Sequence, residues 1–176
     1  MRILVAGIGN IFFGDDAFGV EVTHELMRRE WPAEVRIEDF GIRSYDLAYA
    51  IMDGYDAVVL VDATPRGHSP GTVSLIEPDL AALEADTGEI VNAHSMNPVR
   101  VLQMVRSLGG QAQQLYLVGC EPAVLETEEL GLSAAVQAAV PRAVELVESL
   151  VDALRDGTAV AFVGGAASCE ARPGEP

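Results

Sequence analysis

The segment from Ile3 to Gly19 narrows the fold more than any other part of the chain. A continuous apolar run, Ile3-Leu4-Val5-Ala6, breaks into Gly7-Ile8-Gly9-Asn10 and closes on the adjacent acids Asp15 and Asp16. An apolar run of this kind, ended by glycine, is the pattern of a strand buried on both faces of a parallel sheet. Behind the acids, Phe18, Val22 and Leu26 stand four apart, Arg28 and Arg29 follow, and Pro32 lies beyond. That spacing predicts a helix from about Asp16 whose charges complement its dipole. Gly7 and Gly9 would suit a strand-to-helix turn that cradles a phosphate, but the dinucleotide fingerprint asks for a third glycine where this chain has Phe12. Two carboxylates at the helix start would also repel a pyrophosphate, by about 1 to 4 kcal/mol for like charges a few ångströms apart. A cation is the better guest.

The rest of the chain repeats the alternation. Glu34 to Asp39 predicts a second strand, and Ser44 is placed to cap a helix carrying Leu47, Ala48 and Ile51 that Gly54 stops. Ala57-Val58-Val59-Leu60-Val61, apolar and rich in β-branched residues, predicts a central strand ending at Asp62. A turn-rich stretch from Thr64 to Gly71 leads to a strand over Thr72 to Ile76, and Pro78 opens a short helix through Leu83. Asn97 and Pro98 fit the cap and first turn of a helix bearing Val101, Leu102 and Val105, which Gly109 and Gly110 terminate, and Leu115 to Val118 supplies the last strand. Ser133 to about Arg155 has helical periodicity, interrupted by Pro141, which is expected to kink the helix or split it. Strands and helices in alternation predict an α/β fold: a three-layer α/β/α sandwich around a mostly parallel twisted sheet of about five strands. Residues 1–156 are expected to form a single domain, and 157–176, rich in Gly, Ala, Glu and Pro, a disordered tail.

Composition removes several classes of function. Twenty-seven acids against eleven bases give a formal charge of −16, which repels a polyphosphate backbone and argues against nucleic acid as a partner. Cys120 and Cys169 are far apart and form no Cys-x-x-Cys pair, so neither a disulfide framework nor a zinc knuckle is written here. The N-terminal apolar run is too short for a signal-peptide core, and no run approaches the roughly 20 residues of a membrane span. A cytoplasmic protein without a membrane partner is expected. Neither a His-Glu-x-x-His nor a Gly-x-x-x-x-Gly-Lys pattern is present, the Gly-x-Ser-x-Gly spelled by Gly67 to Gly71 falls in the turn-rich stretch ahead of a strand rather than at a strand-to-helix elbow, and Cys120, ending an apolar strand, reads as core rather than nucleophile.

Ligands in open α/β sheets gather at the C-terminal strand ends. Asp16 after the first strand, Asp62 at the end of a central strand and His94 ahead of a helix all map there. Each has an ordinary explanation: Asp16 as a dipole-favoured carboxylate, Asp62 as part of a capped turn at Thr64-Pro65, His94 as a surface or hydrogen-bonded histidine, the class to which His24 and His68 are assigned. Together, two carboxylates and one imidazole suit a borderline divalent ion such as zinc or nickel, and so few ligands would hold it only weakly. Asp39, ahead of Phe40-Gly41-Ile42 at the same edge, is a candidate general base, with a turn carboxylate as the alternative. A nucleotide- or small-ligand-binding module is one function such a chain could serve, and a self-sufficient metallohydrolase would need a fuller ligand set.

Gly7-Ile8-Gly9-Asn10 with Asp15-Asp16 and Gly19, then Val61-Asp62-Ala63, then a lone His94 before a helix, resembles the [NiFe]-hydrogenase maturation endopeptidases over about residues 1 to 155. The resemblance implies a hydrolase, an aspartic-type endopeptidase, that removes the C-terminal extension of a hydrogenase large-subunit precursor once nickel is inserted. By position, Asp16, Asp62 and His94 match the metal-contacting residues of that family, in which Glu often stands at position 16 and Thr at position 42. Asp16 and Asp39 are the candidate catalytic groups. Nickel is expected to arrive with the substrate, and no permanently bound metal is expected.

Overall fold

A computed structural model describes residues 1–78, 98–110, 114–125 and 130–158. The expected short helix beyond Pro78, Asn97 as a cap, His94, Cys169 and nearly all of the expected tail lie outside the described residues. Five strands form one sheet: β1 (Ile3–Ile8), β2 (Val35–Gly41), β3 (Ala57–Ala63), β4 (Val73–Ile76) and β5 (Gln114–Cys120). The order across the sheet is β2-β1-β3-β5-β4, parallel except for β4, which runs antiparallel to β5 at one edge. Among the described residues the α-helices are α1 (Phe18–Met27), α2 (Ser44–Met52), α3 (Pro98–Ser107) and α4 (Ala134–Asp156).

Side chains alternate across each strand and so divide the core into two layers. Ile3 and Val5 of β1 and Val59 and Val61 of β3 face Phe18, Val22 and Leu26 of α1 and the Val136, Val140, Val144 and Val147 stripe of α4. Leu4, Ala6 and Ile8 of β1 and Val58 and Leu60 of β3 face Leu47 and Ile51 of α2 and Val101 and Val105 of α3. The three-layer α/β/α sandwich around a mostly parallel sheet is therefore observed.

Three local expectations differ in detail. The helix placed from Asp16 begins at Phe18, and Gly14–Ala17 forms a separate 3-10 turn ahead of it. Ser44 is the first helical residue of α2 rather than its cap, because the Arg43 carbonyl already accepts the Leu47 N–H at 3.1 Å. Pro141 does not divide α4, which runs unbroken for 23 residues. Pro141 and Gln137, whose carbonyl loses its helical donor, are both exposed, so the missing bond falls on the solvent side of the helix while the buried valine stripe holds the helix on the sheet.

The topology fixes where a ligand can sit. From β1 the chain moves outward to β2, then returns across β1 to β3, so the strand order reverses between β1 and β3. In doubly wound sheets that reversal opens a crevice at the C-terminal strand ends. Asp16 follows β1, and Asp62 lies at the end of β3.

Candidate active site

Glycines let the chain that carries Asp16 lie directly on the sheet. A Cβ at Gly9, where φ is 134°, would fall 1.8 Å from the Asp16 carbonyl oxygen. One at Gly19 would meet the Val61 and Ile8 carbonyls at 2.1 and 2.3 Å, and one at Gly7 the Thr23 hydroxyl at 2.0 Å. The motif glycines thus serve close packing of α1 and its leading turn against β1 and β3. Asn10 folds the intervening loop: its side-chain oxygen accepts the Phe12 N–H at 3.1 Å, and its own N–H donates to Asp16 Oδ2 at 2.7 Å.

The two neighbouring acids have opposite environments. Asp15 is fully buried and accepts four hydrogen bonds, from the backbone N–H groups of Ala123, Val124 and Ser133 and from the Ser133 hydroxyl, at 2.7 to 3.0 Å. Burial pushes its carboxyl up, the four donors more than offset this, and the net shift is downward. Asp16 is half-buried, and burial raises its carboxyl despite the Asn10 N–H. Asp62 is only 6% exposed. Burial first, and the Asp16 charge second, push its carboxyl well above the usual range against a hydrogen bond from the Ala63 N–H. Two carboxyls raised by burial, with the Asp16 charge adding to the rise at Asp62, favour a cation in place of the proton.

The other sequence-derived candidates are placed differently. Asp39 shares a strand face with Val35 and Ile37, on the α1 side, whereas Asp62 alternates with Val58 and Leu60 toward α2 and α3. Its Oδ2 lies 3.0 Å from His24 Nε2, and its Oδ1 is buried without a hydrogen-bond partner among the described residues. His24, read from sequence as a surface or hydrogen-bonded residue, is the partner of Asp39, in keeping with that reading. His94 lies outside the described residues, and among those described no three His, Cys, Asp or Glu side chains gather as a metal site. Cys120 is buried, and burial, with Asp15 and Glu121 adding to it, pushes its thiol up to about 11. It is a core thiol. Glu121, also buried, accepts the Arg66 and Gly67 N–H groups at 2.7 and 3.1 Å and fastens the turn after β3 to the end of β5. Sequence reasoning gave no role at the site to Asn10, Glu121 or Ser133, whose partners at this edge include residues up to 118 positions away.

A hydrogenase maturation protease family model matches residues 20–150. This chain belongs to the hydrogenase maturation proteases. The hydrogenase 2 maturation protease of Escherichia coli K12 is 33% identical over 150 residues, covering 84% of this protease and 88% of its relative. The solved hydrogenase maturating endopeptidase HybD from E. coli superposes with a TM-score of 0.72 at 33% identity, over 89% of this protease and 94% of that chain. A [NiFe] hydrogenase maturation protease from Thermococcus kodakarensis superposes with a TM-score of 0.64 at 28% identity, over 86% and 92% of the two chains. The fold of the protease and its membership thus agree, and no helix among its described residues is long and apolar enough to cross a membrane.

Proposed function

We propose that this protease removes the C-terminal extension of a [NiFe]-hydrogenase large-subunit precursor after nickel insertion, and that it recognises the nickel its client already carries. The observation that carries this reading is the pairing of buried Asp62 with half-buried Asp16 where the strand order reverses. His94 is the proposed third contact. Two features support it: α3 packs on the Asp62 face of the sheet, and Gly110, just beyond the C-terminal end of α3, lies against Met52 at the C-terminal end of α2. Since α2 starts just after β2 ends, Pro98 opens α3 at the edge that carries Asp16 and Asp62, four residues after His94.

Two acids and one imidazole leave coordination positions for ligands that the client supplies, so the ion is part of the substrate rather than a resident cofactor. Loading and recognition then become one event. Docking brings the scissile peptide beside these groups, a carboxylate activates water in an aspartic-type reaction, and a backbone amide steadies the oxyanion. Of the two candidate carboxylates, Asp16 is the better placed, because Asp39 faces the other layer and is engaged by His24. The charge of −16 supports a protein client over nucleic acid, and the reaction is assigned to the cytoplasm, where the uncombined Cys120 thiol is at home. The nucleotide-binding alternative has no support here, since the space a glycine cradle would offer is filled by the Asp16 carbonyl, Thr23 and the Gly19 backbone.

The test is single-turnover cleavage of nickel-loaded precursor followed by intact mass. Asp16→Asn and Asp62→Asn are each expected to slow it by about 100-fold or more, the scale set by a misplaced reacting group. Cleavage by both variants at the parent rate would overturn the assignment.

A further inference from the structure

The buried carboxylate of Asp15 plays no part in the proposed chemistry, yet among the described residues it has the densest hydrogen bonding of any side chain at this edge. Its Oδ2 accepts from Ala123 N at 2.8 Å, Val124 N at 3.0 Å and the Ser133 hydroxyl at 3.0 Å, and its Oδ1 accepts from Ser133 N at 2.7 Å. Ala123 and Val124 belong to the segment leaving β5, and Ser133 is the N-cap of α4, whose side chain also accepts from Val136 N. One residue therefore joins the 3-10 turn, the segment after β5 and the start of the longest helix. Asp16 is the next residue in that same turn.

We infer that Asp15 is a positioning residue: it fixes the Asp16 turn against the β5–α4 segment, and so sets where the Asp16 carboxyl stands relative to Asp62. An ordinary turn would not hold this position. The Gly14–Ala17 turn is a single 3-10 turn with no side-chain cap, and a turn that short has little stability of its own. Asp16 itself is tied through one bond from Asn10, within the same loop, which fixes the loop internally without anchoring it to the body. Apart from the glycine packing beneath it and the buried Ala17, the long-range anchor by hydrogen bonds among the described residues is Asp15, across 108 to 118 residues of sequence. Only a carboxylate suits the role, because all four partners are donors. Asparagine presents one acceptor and an NH2 group that would face one of those donors.

The inference rests on Asp16 belonging to the reactive site, and two readouts separate its failure from failure of that premise. Amide hydrogen exchange, measured on the whole protein, reads the anchor without reference to activity. In Asp15→Asn the amides of Asp16, Ala123 and Val124 are expected to exchange at least tenfold faster, with β1 and β3 unchanged. Steady-state cleavage of nickel-loaded precursor reads its consequence: kcat falls 10- to 100-fold while KM changes less than threefold, at a temperature where the variant is fully folded. Ser133→Ala removes one of the four bonds and serves as the milder variant should Asp15→Asn fail to fold, with smaller changes in the same direction in both readouts. Unchanged exchange at these amides overturns the anchor. Faster exchange with parental kcat overturns the positioning role. If the parent protein does not cut the precursor, the premise fails and exchange alone still decides whether Asp15 anchors the turn.

Discussion

At the scale of single residues, Asp15 and Asp62 are two buried acids with opposite effects on stability. The depressed native pKa of Asp15 means that its stabilisation is complete above the unfolded value of about 3.9 and is lost as pH falls through the native value. Asp62 has a raised native pKa, so its cost is absent below about 3.9, grows as pH rises toward the native value, and is complete above it. Asp62→Asn is therefore expected to stabilise the free protein at pH 7 by about 0.5 to 2 kcal/mol while impairing cleavage, a trade of stability for function. Urea denaturation against pH checks this, and the gain should shrink toward pH 4. An unchanged or lowered midpoint at pH 7 would show that Asp62 is not held under that strain. Asp62 stood out in the sequence because an acid ends five apolar residues. The partners of Asp15 did not, because a carboxylate at a helix start looks the same whether it meets water or four donors from distant segments.

At the scale of elements, the same glycines that suggested a phosphate turn set the distance between α1 and the sheet. Gly19→Ala places a methyl group against two backbone carbonyls, which cannot move as a side-chain tip could, and is expected to cost about 3 kcal/mol in denaturant unfolding. Pro141→Ala is expected to act in the opposite direction, adding about 1 to 3 kcal/mol by restoring a helical bond at an exposed position. A loss of stability there would show that α4 uses the proline to fit the sheet. All five strands were legible, β2 from its alternation, and β1, β3 and β5 extend one or two residues beyond their apolar runs because neighbouring strands continue to pair there. The antiparallel direction of β4 was not legible, since it depends on pairing with β5 across some 40 intervening residues that local pattern does not encode. The continuity of α4 was likewise hidden, because solvent exposure of Pro141 is a tertiary fact.

At the scale of the whole molecule, strand order converts a linear motif into a site. Asp16 and Asp62 are 46 residues apart, and they meet because β1 and β3 are neighbours while β2 lies outside. Alternation placed both acids at one sheet edge, but it could not give the face on which each side chain stands, and that face is what separates Asp39 from Asp62. His94→Ala is expected to lower cleavage of nickel-loaded precursor at least tenfold with no change in thermal unfolding, and cleavage at the parent rate would remove the histidine from the site. The central claim is that a client's own nickel completes a half-built coordination set. Its most direct test is to incubate the purified protein with nickel-loaded and with nickel-free precursor and follow the shortened product by intact mass. Cleavage confined to the loaded precursor is the predicted result, and equal cleavage of both would contradict the claim.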